Sequence, residues 1–132
     1  MKFKQVILAA ANKFEVYKDG MFLRELVICD AGHFLNNMQD MINLLEDSGH
    51  ELKPVKDSSY GQGFIGCVGE YYTREEAYKI AYESGQPLNQ SYALSGGELD
   101  SSCLRHLPEF FSLLRNKNKG LTIALRGIDV LE

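Results

Sequence analysis

Gly61-Gln62-Gly63-Phe64-Ile65-Gly66-Cys67-Val68-Gly69-Glu70-Tyr71-Tyr72-Thr73-Arg74-Glu75-Glu76-Ala77 decides the fold, because within it a compact β-hairpin runs straight into a helix. The stretch continues through Tyr78-Lys79-Ile80-Ala81 to Gly85-Gln86. Thr73 is placed to accept a backbone N–H of the first helical turn, and Glu76, three residues on, reaches back to the cap. The two form a capping box that fixes where the helix begins. Gly85 supplies a left-handed exit. Such a unit holds the polar groups at its ends, Gln62, Arg74 and Gln86, in fixed relation to one another.

Working upstream, Lys4 to Ala11 is a short apolar run bounded by Asn12, too short for an independent helix and therefore a buried strand. Phe14 to Tyr17 and Phe22 to Ile28 flank Asp19-Gly20, a dipeptide that accepts positive φ in a tight hairpin turn. Phe34, Met38, Met41, Ile42 and Leu45 recur at three- and four-residue steps. That spacing predicts an amphipathic helix over about 34 to 48, its apolar stripe on the sheet and Gly49 at its end. Residues 50 to 60 carry Pro54, two serines and mixed charges without periodicity, and read as a surface loop.

Downstream, Ala77, Ile80 and Ala81 give the second helix a narrow apolar face that permits close packing. Pro87 to Ser102 is polar and glycine-rich, with a turn at Gly96-Gly97, and reads as a ligand loop. Pro108 can open another helix with Phe110, Phe111, Leu113 and Leu114 apolar and Arg115, Lys117 and Lys119 near its C-terminal end. Gly120 stops it, and Leu121 to Leu125 reads as a final strand. The expectation is one α+β domain over residues 1–132, a mostly antiparallel sheet against two main helices, plus a C-terminal helix and strand.

Composition narrows the function classes. A chain of 132 residues, 45% hydrophobic and 24% charged, suits one globular domain with a real core. Fourteen basic against eighteen acidic side chains leave a formal charge of −4, without the basic excess that duplex nucleic acid requires. Cys29, Cys67 and Cys103 are odd in number and widely spaced, against both a disulfide framework and a zinc knuckle and in keeping with a reducing cytoplasm. The apolar run Val6 to Ala11 is about half a signal-peptide core, and nothing in the sequence reaches the length of a membrane span.

Catalytic patterns are thin. His33, His50 and His106 fall in different elements, without the helical pairing of zinc proteases, so no metal site is expected. Cys103 and His106, three apart, form the one local nucleophile–base pair, against the plainer reading of a half-buried Cys beside a surface His. Gly61-Gln62-Gly63 is neither a P-loop nor a dinucleotide fingerprint; its glycines serve a turn or bulge. Arg74, in the first helical turn among exposed amides, either grips a phosphate or ribose oxygen or pairs with neighbouring acids on a solvated surface. Phe64, Tyr71 and Tyr72 offer rings for stacking on a base, with core packing the alternative for Phe64.

Taken in order, Gly61-Gln62-Gly63-Phe64-Ile65, the hairpin Gly69, Thr73-Arg74-Glu75-Glu76-Ala77, Ile80-Ala81 and Gly85-Gln86 resemble a family of small phage and prophage proteins. His33-Phe34 followed by Met38 resembles that family's upstream motif, and Leu99-Asp100-Ser101-Ser102-Cys103-Leu104 its downstream segment, so the likeness covers about residues 25–104. Gly32 stands where the family has Arg, and Ser102-Cys103 where it has a Glu-Asp pair; residues 105–132 form an extension outside the pattern. Some members are anti-Thoeris sponges, which sequester cyclic ADP-ribose isomers, and relatives hold cyclic di- or trinucleotides, in both cases without cleaving the ligand. The resemblance therefore implies a non-catalytic homodimer or larger homo-oligomer in the host bacterial cytoplasm, with no cofactor. It implies a ligand site over Arg74, Gln62, Gly63, Phe64, Gln86, His33, Asn37 and Ser101. Arg74 would meet phosphate, the amides of Gln62, Asn37 and Gln86 would read ribose or base edges, and Phe64 or a Tyr would stack. Two other readings stand beside it: a module that inhibits a host defence protein directly, and a small nucleotide-processing enzyme.

Overall fold

The computed structural model describes residues 4–92 and 97–105. Strand β1 (Ile7–Lys18) is the axis of a five-stranded antiparallel sheet. β2 (Met21–Asp30) pairs along one of its edges, while β3 (His50–Pro54) and β4 (Gln62–Gly66) share the other, β3 on residues 14–18 and β4 on residues 7–12. β5 (Tyr71–Tyr72) adds to β4. Among the described residues three helices complete the α+β fold: α1 (Asn36–Asp47), α2 (Arg74–Ser84) and the short α3 (Ser102–Arg105), with a 3-10 turn at Gln90–Tyr92. The helix expected from Pro108, the strand expected at Leu121 to Leu125, and the residues Gly96 and His106 lie outside the described residues.

Local chemistry sets the hairpin. Asp19 at φ 53° and Gly20 at φ 79° sit between the paired Lys18 and Met21, and two successive positive φ angles give the turn whose twist matches the strands it joins. The sequence expectation of a strand ending at Asn12 is corrected, because β1 runs unbroken through that residue. Asn12 is paired on both sides, to Ile28 and to Gln62, and those ladders override the turn preference of asparagine. The surface loop expected over 50–60 is also corrected. Its first half is β3, a mostly exposed strand with one apolar residue, Leu52, and Pro54 as the final position, so no period-two pattern marks it.

Both main helices lie on the same face of the sheet. Residues two and four apart on a strand share a face, and Ala10 belongs to the core under α2 while Phe14 belongs to the core under α1. Under α2, Ala77 and Ala81 pack with Ile7, Ala10, Phe64, Leu99 and Cys103. Phe64 is fully buried, which contributes about 1.5–3 kcal/mol on transfer grounds. Under α1, Met38 and Ile42 pack with Phe14 and Ile28. Asn12 falls between the two clusters and is 1% exposed. The opposite face is covered by polar contacts, among them Lys13 Nζ 5.3 Å from the centre of the Tyr71 ring and Lys53 Nζ 4.7 Å from that of Tyr17.

Candidate functional site

The site is built where α2 begins. The Thr73–Glu76 capping box forms in both directions, Glu76 N–H donating to Thr73 Oγ1 at 3.3 Å and Thr73 N–H to Glu76 Oε1 at 2.9 Å. Ser59 adds a third oxygen, accepting from Arg74 N–H at 2.9 Å. The N–H groups of Thr73, Arg74 and Glu76 are therefore engaged, which corrects the expectation of a nest of exposed amides there for an anion. What remains at this end of α2 is the guanidinium itself.

That guanidinium is 15% exposed and organises its surroundings. Nη1 donates to the Leu99 carbonyl at 2.9 Å, and Asp100 Oδ1 stands 4.0 Å away. Nη2 lies 3.4 Å from His33 Nδ1, and the guanidinium carbon is 5.8 Å from the centre of the Phe64 ring. His33 in turn approaches the Gly63 carbonyl through Nε2 at 2.8 Å and meets Phe64 edge-on, centroids 5.4 Å apart. A carbonyl only accepts and a guanidinium only donates, so these contacts select the tautomer with the proton on Nε2 and Nδ1 as the acceptor. Residues 33, 63, 64, 74, 99 and 100 thus meet at one place, although 41 positions separate Arg74 from His33.

The other residues expected at the site are placed differently. Gln62 sits on β4 opposite Asn12, next to this cluster and half-buried. Gln86 is at the far end of α2, about 16 Å along the helix axis. Its amide is engaged with backbone: Oε1 accepts from Ile7 N–H at 2.7 Å and Nε2 donates to Ile7 O at 3.0 Å. Asn37 is exposed in the first turn of α1 and donates to the Cys29 carbonyl at 3.2 Å. Ser101 is buried, and its carbonyl accepts from Leu104 N–H in the turn that opens α3. Gly63 has a backbone role: a Cβ there would stand 2.0 Å from the Tyr72 carbonyl oxygen and 2.8 Å from the Tyr71 ring. Phe64 already has His33 at its edge and Arg74 over its face, so its ring is part of the core.

Four participants escaped the sequence reading. Ser59 closes α2 from fifteen residues upstream, Leu99 and Asp100 hold the guanidinium, and Asn12 is a buried amide whose Oδ1 has no hydrogen-bond partner among the described residues. Asn12 alone had a local signal, a polar residue ending an apolar run. Burial pushes the Cys103 thiol up from its ordinary value, so it stays protonated, and its side chain is 1% exposed. Burial and the Asp57 carboxylate, 2.9 Å from its hydroxyl, raise Tyr71 as well. Among the described residues, no group of three or more His, Cys, Asp or Glu is arranged to hold a metal, and no helix is long and apolar enough to cross a membrane. A cavity of about 300 Å³ lies away from Arg74, between the start of the chain and the last turns of α2, lined by Lys4, Gln5, Ile80, Glu83 and Ser84.

The fold and the cluster together define a small α+β protein whose two main helices share one sheet face, with an Arg–His–Phe cluster at the start of α2. The model of the family described as Phage T4 y16D protein matches residues 6–105, and the chain belongs to that family of phage proteins. No curated protein and no solved structure matches the chain.

Proposed function

We propose that this phage protein binds and sequesters a cyclic nucleotide immune signal, a cyclic ADP-ribose isomer or a cyclic oligonucleotide, and holds it without cleaving it. The reading rests on one observation: Arg74, His33 and Phe64 form a cation–imidazole–ring cluster assembled from three separate parts of the chain. A phosphate competes there with Asp100, whose Oδ1 stays 4.0 Å from Nη1 while Oδ2 accepts from Ser102 N–H at 2.9 Å. Exchange of that partner for a phosphate oxygen gives the guanidinium a shorter, charge-assisted bond. The protonated Cys103 thiol is a poor nucleophile, in keeping with a ligand kept intact. The protein acts in the cytoplasm of the host bacterium as a homo-oligomer, and its targets are small molecules, neither duplex nucleic acid nor membrane.

The test mixes the protein with a panel of cyclic nucleotides, follows the melting shift, then releases the ligand by heat and assays it. Stoichiometric binding with intact ligand is the expected outcome. Arg74→Ala is expected to weaken binding by about 10- to 100-fold, the worth of a hydrogen bond to a charged group. Unchanged affinity in that variant removes Arg74 from the site, and a chemically altered product favours the enzyme reading.

A second reading is favoured by a different surface. Among the described residues β2 is an edge strand, and its first residues, Met21, Phe22 and Leu23, are all exposed. Such an edge accepts an added strand from a partner. Direct inhibition of a host defence protein predicts a stable mixed complex and no small-molecule binding.

A further inference from the structure

Asn12 is the one fully buried polar side chain in the sheet's central strand, and nothing in the fold explains its carbonyl oxygen. It is 1% exposed, and Oδ1 has no partner among the described residues. An unsatisfied buried acceptor is costly, and a leucine of similar shape would remove that cost. Its neighbours give it a direction. Asn12 is opposite Gln62, and Ala10 opposite Phe64, so these four residues form a square on the helix-covered face of the sheet. Phe64 is the residue that both His33 and Arg74 touch. The orphaned acceptor therefore lies in the floor next to the Arg–His–Phe cluster, between the core under α1 and the core under α2.

We infer that Asn12 Oδ1 is the base-reading acceptor of this site, taking a hydrogen bond from the exocyclic amine of an adenine- or cytosine-type base. The inference rests on the nucleotide-binding reading above and adds the base class to it. Arg74 sits at the phosphate end, and Gln62, beside Asn12, offers a second amide to the same base edge. On this assignment the base enters past the His33 ring, which contacts Phe64 edge-on and Arg74. That ring belongs to the turn between β2 and α1, where Phe34 holds a left-handed φ of 59° that a phenylalanine adopts at a cost. Withdrawal of His33 also frees the second nitrogen of Arg74, so base reading and phosphate capture are coupled through one imidazole.

The test compares cyclic ADP-ribose with its inosine counterpart, in which a carbonyl replaces the exocyclic amine, on the unaltered protein and on Asn12→Leu. The unaltered protein is expected to prefer the amine-bearing ligand by about tenfold or more, since a base carbonyl set against Oδ1 leaves two acceptors facing each other. Asn12→Leu is expected to bind both ligands equally and to melt, without ligand, no lower than the parent. Equal binding of both ligands by the unaltered protein overturns the assignment while leaving the sponge reading standing, and so does a preference that survives in Asn12→Leu. A melting point several degrees lower in ligand-free Asn12→Leu also overturns it, because the carbonyl is then a structural acceptor. Failure of the unaltered protein to bind either ligand or any other cyclic nucleotide overturns the parent reading and this one together.

Discussion

The two helices rest on the same face of the same sheet, yet their starts are fixed in opposite ways. α2 is closed mainly by its own sequence, Thr73 and Glu76 capping each other within one turn, with Ser59 adding one bond to Arg74 N–H. α1 begins at Asn36 after Leu35, which provides no side-chain cap, and its first turn is held from β2, where Asp30 Oδ2 accepts from Met38 N–H at 2.9 Å. The packing differs in the same sense. α2 presents alanines to the sheet, whereas α1 fills its seat with Met38 and Ile42. A helix whose start is local and whose face is small can sit close, and it then tolerates no added volume beneath it. A helix held by a remote carboxylate depends on the charge of that carboxylate.

The largest effect is expected at Gly63 in β4, on the sheet face that carries Tyr71 rather than the helices. Gly63→Ala places a methyl group 2.0 Å from the Tyr72 carbonyl, so β4 and β5 must separate. Urea denaturation should show a loss of about 3 kcal/mol or more. A loss below about 1 kcal/mol, typical of an ordinary strand position, would show that β5 yields to the added methyl.

Next comes the local cap. Thr73→Ala removes one arm of the capping box and is expected to cost about 1 kcal/mol, nearly independent of pH between neutrality and mild acid. The smallest effect, and the one that separates the two helices most cleanly, belongs to Asp30. The Met38 amide, seconded by that of Ala31, holds the Asp30 carboxyl below its ordinary value. A lowered folded-state value means that the contribution is present above the unfolded value of about 3.9 and is lost as pH falls through the folded one. Asp30→Asn should therefore lower the melting temperature at neutral pH, with the gap to the parent closing in acid. A gap that stays constant down that range would show that the carboxylate's charge plays no part in holding α1.

The same division decided what could be read before any coordinates. The turn at Asp19-Gly20, the span of both helices, the capping box and the glycine exit at Gly85, φ 74°, all act within a few residues, and the pattern carries them directly. β3 gave no such sign, since a mostly exposed edge strand needs no alternation to pair with β1. The continuity of β1 through Asn12 depends on partners at Ile28 and Gln62. The site divided likewise. Arg74 could be singled out from its place at the helix start, but its partners His33, Leu99 and Asp100 come from two other segments. Gln86 was visible as a polar residue at the end of the unit, while its engagement with Ile7 spans 79 positions. Sequence spacing shows which side chains are near in the chain, and the tertiary fold decides which of them are already occupied.

The bond pair between Gln86 and Ile7 has a consequence for how the molecule is made. A side-chain amide stands there in place of a neighbouring strand, satisfying both the donor and the acceptor of one backbone residue. During synthesis the beginning of β1 therefore emerges long before its fastening exists, and Ile7 waits until the ribosome has passed the end of α2. The last stitch of the first strand is supplied from just past the end of α2.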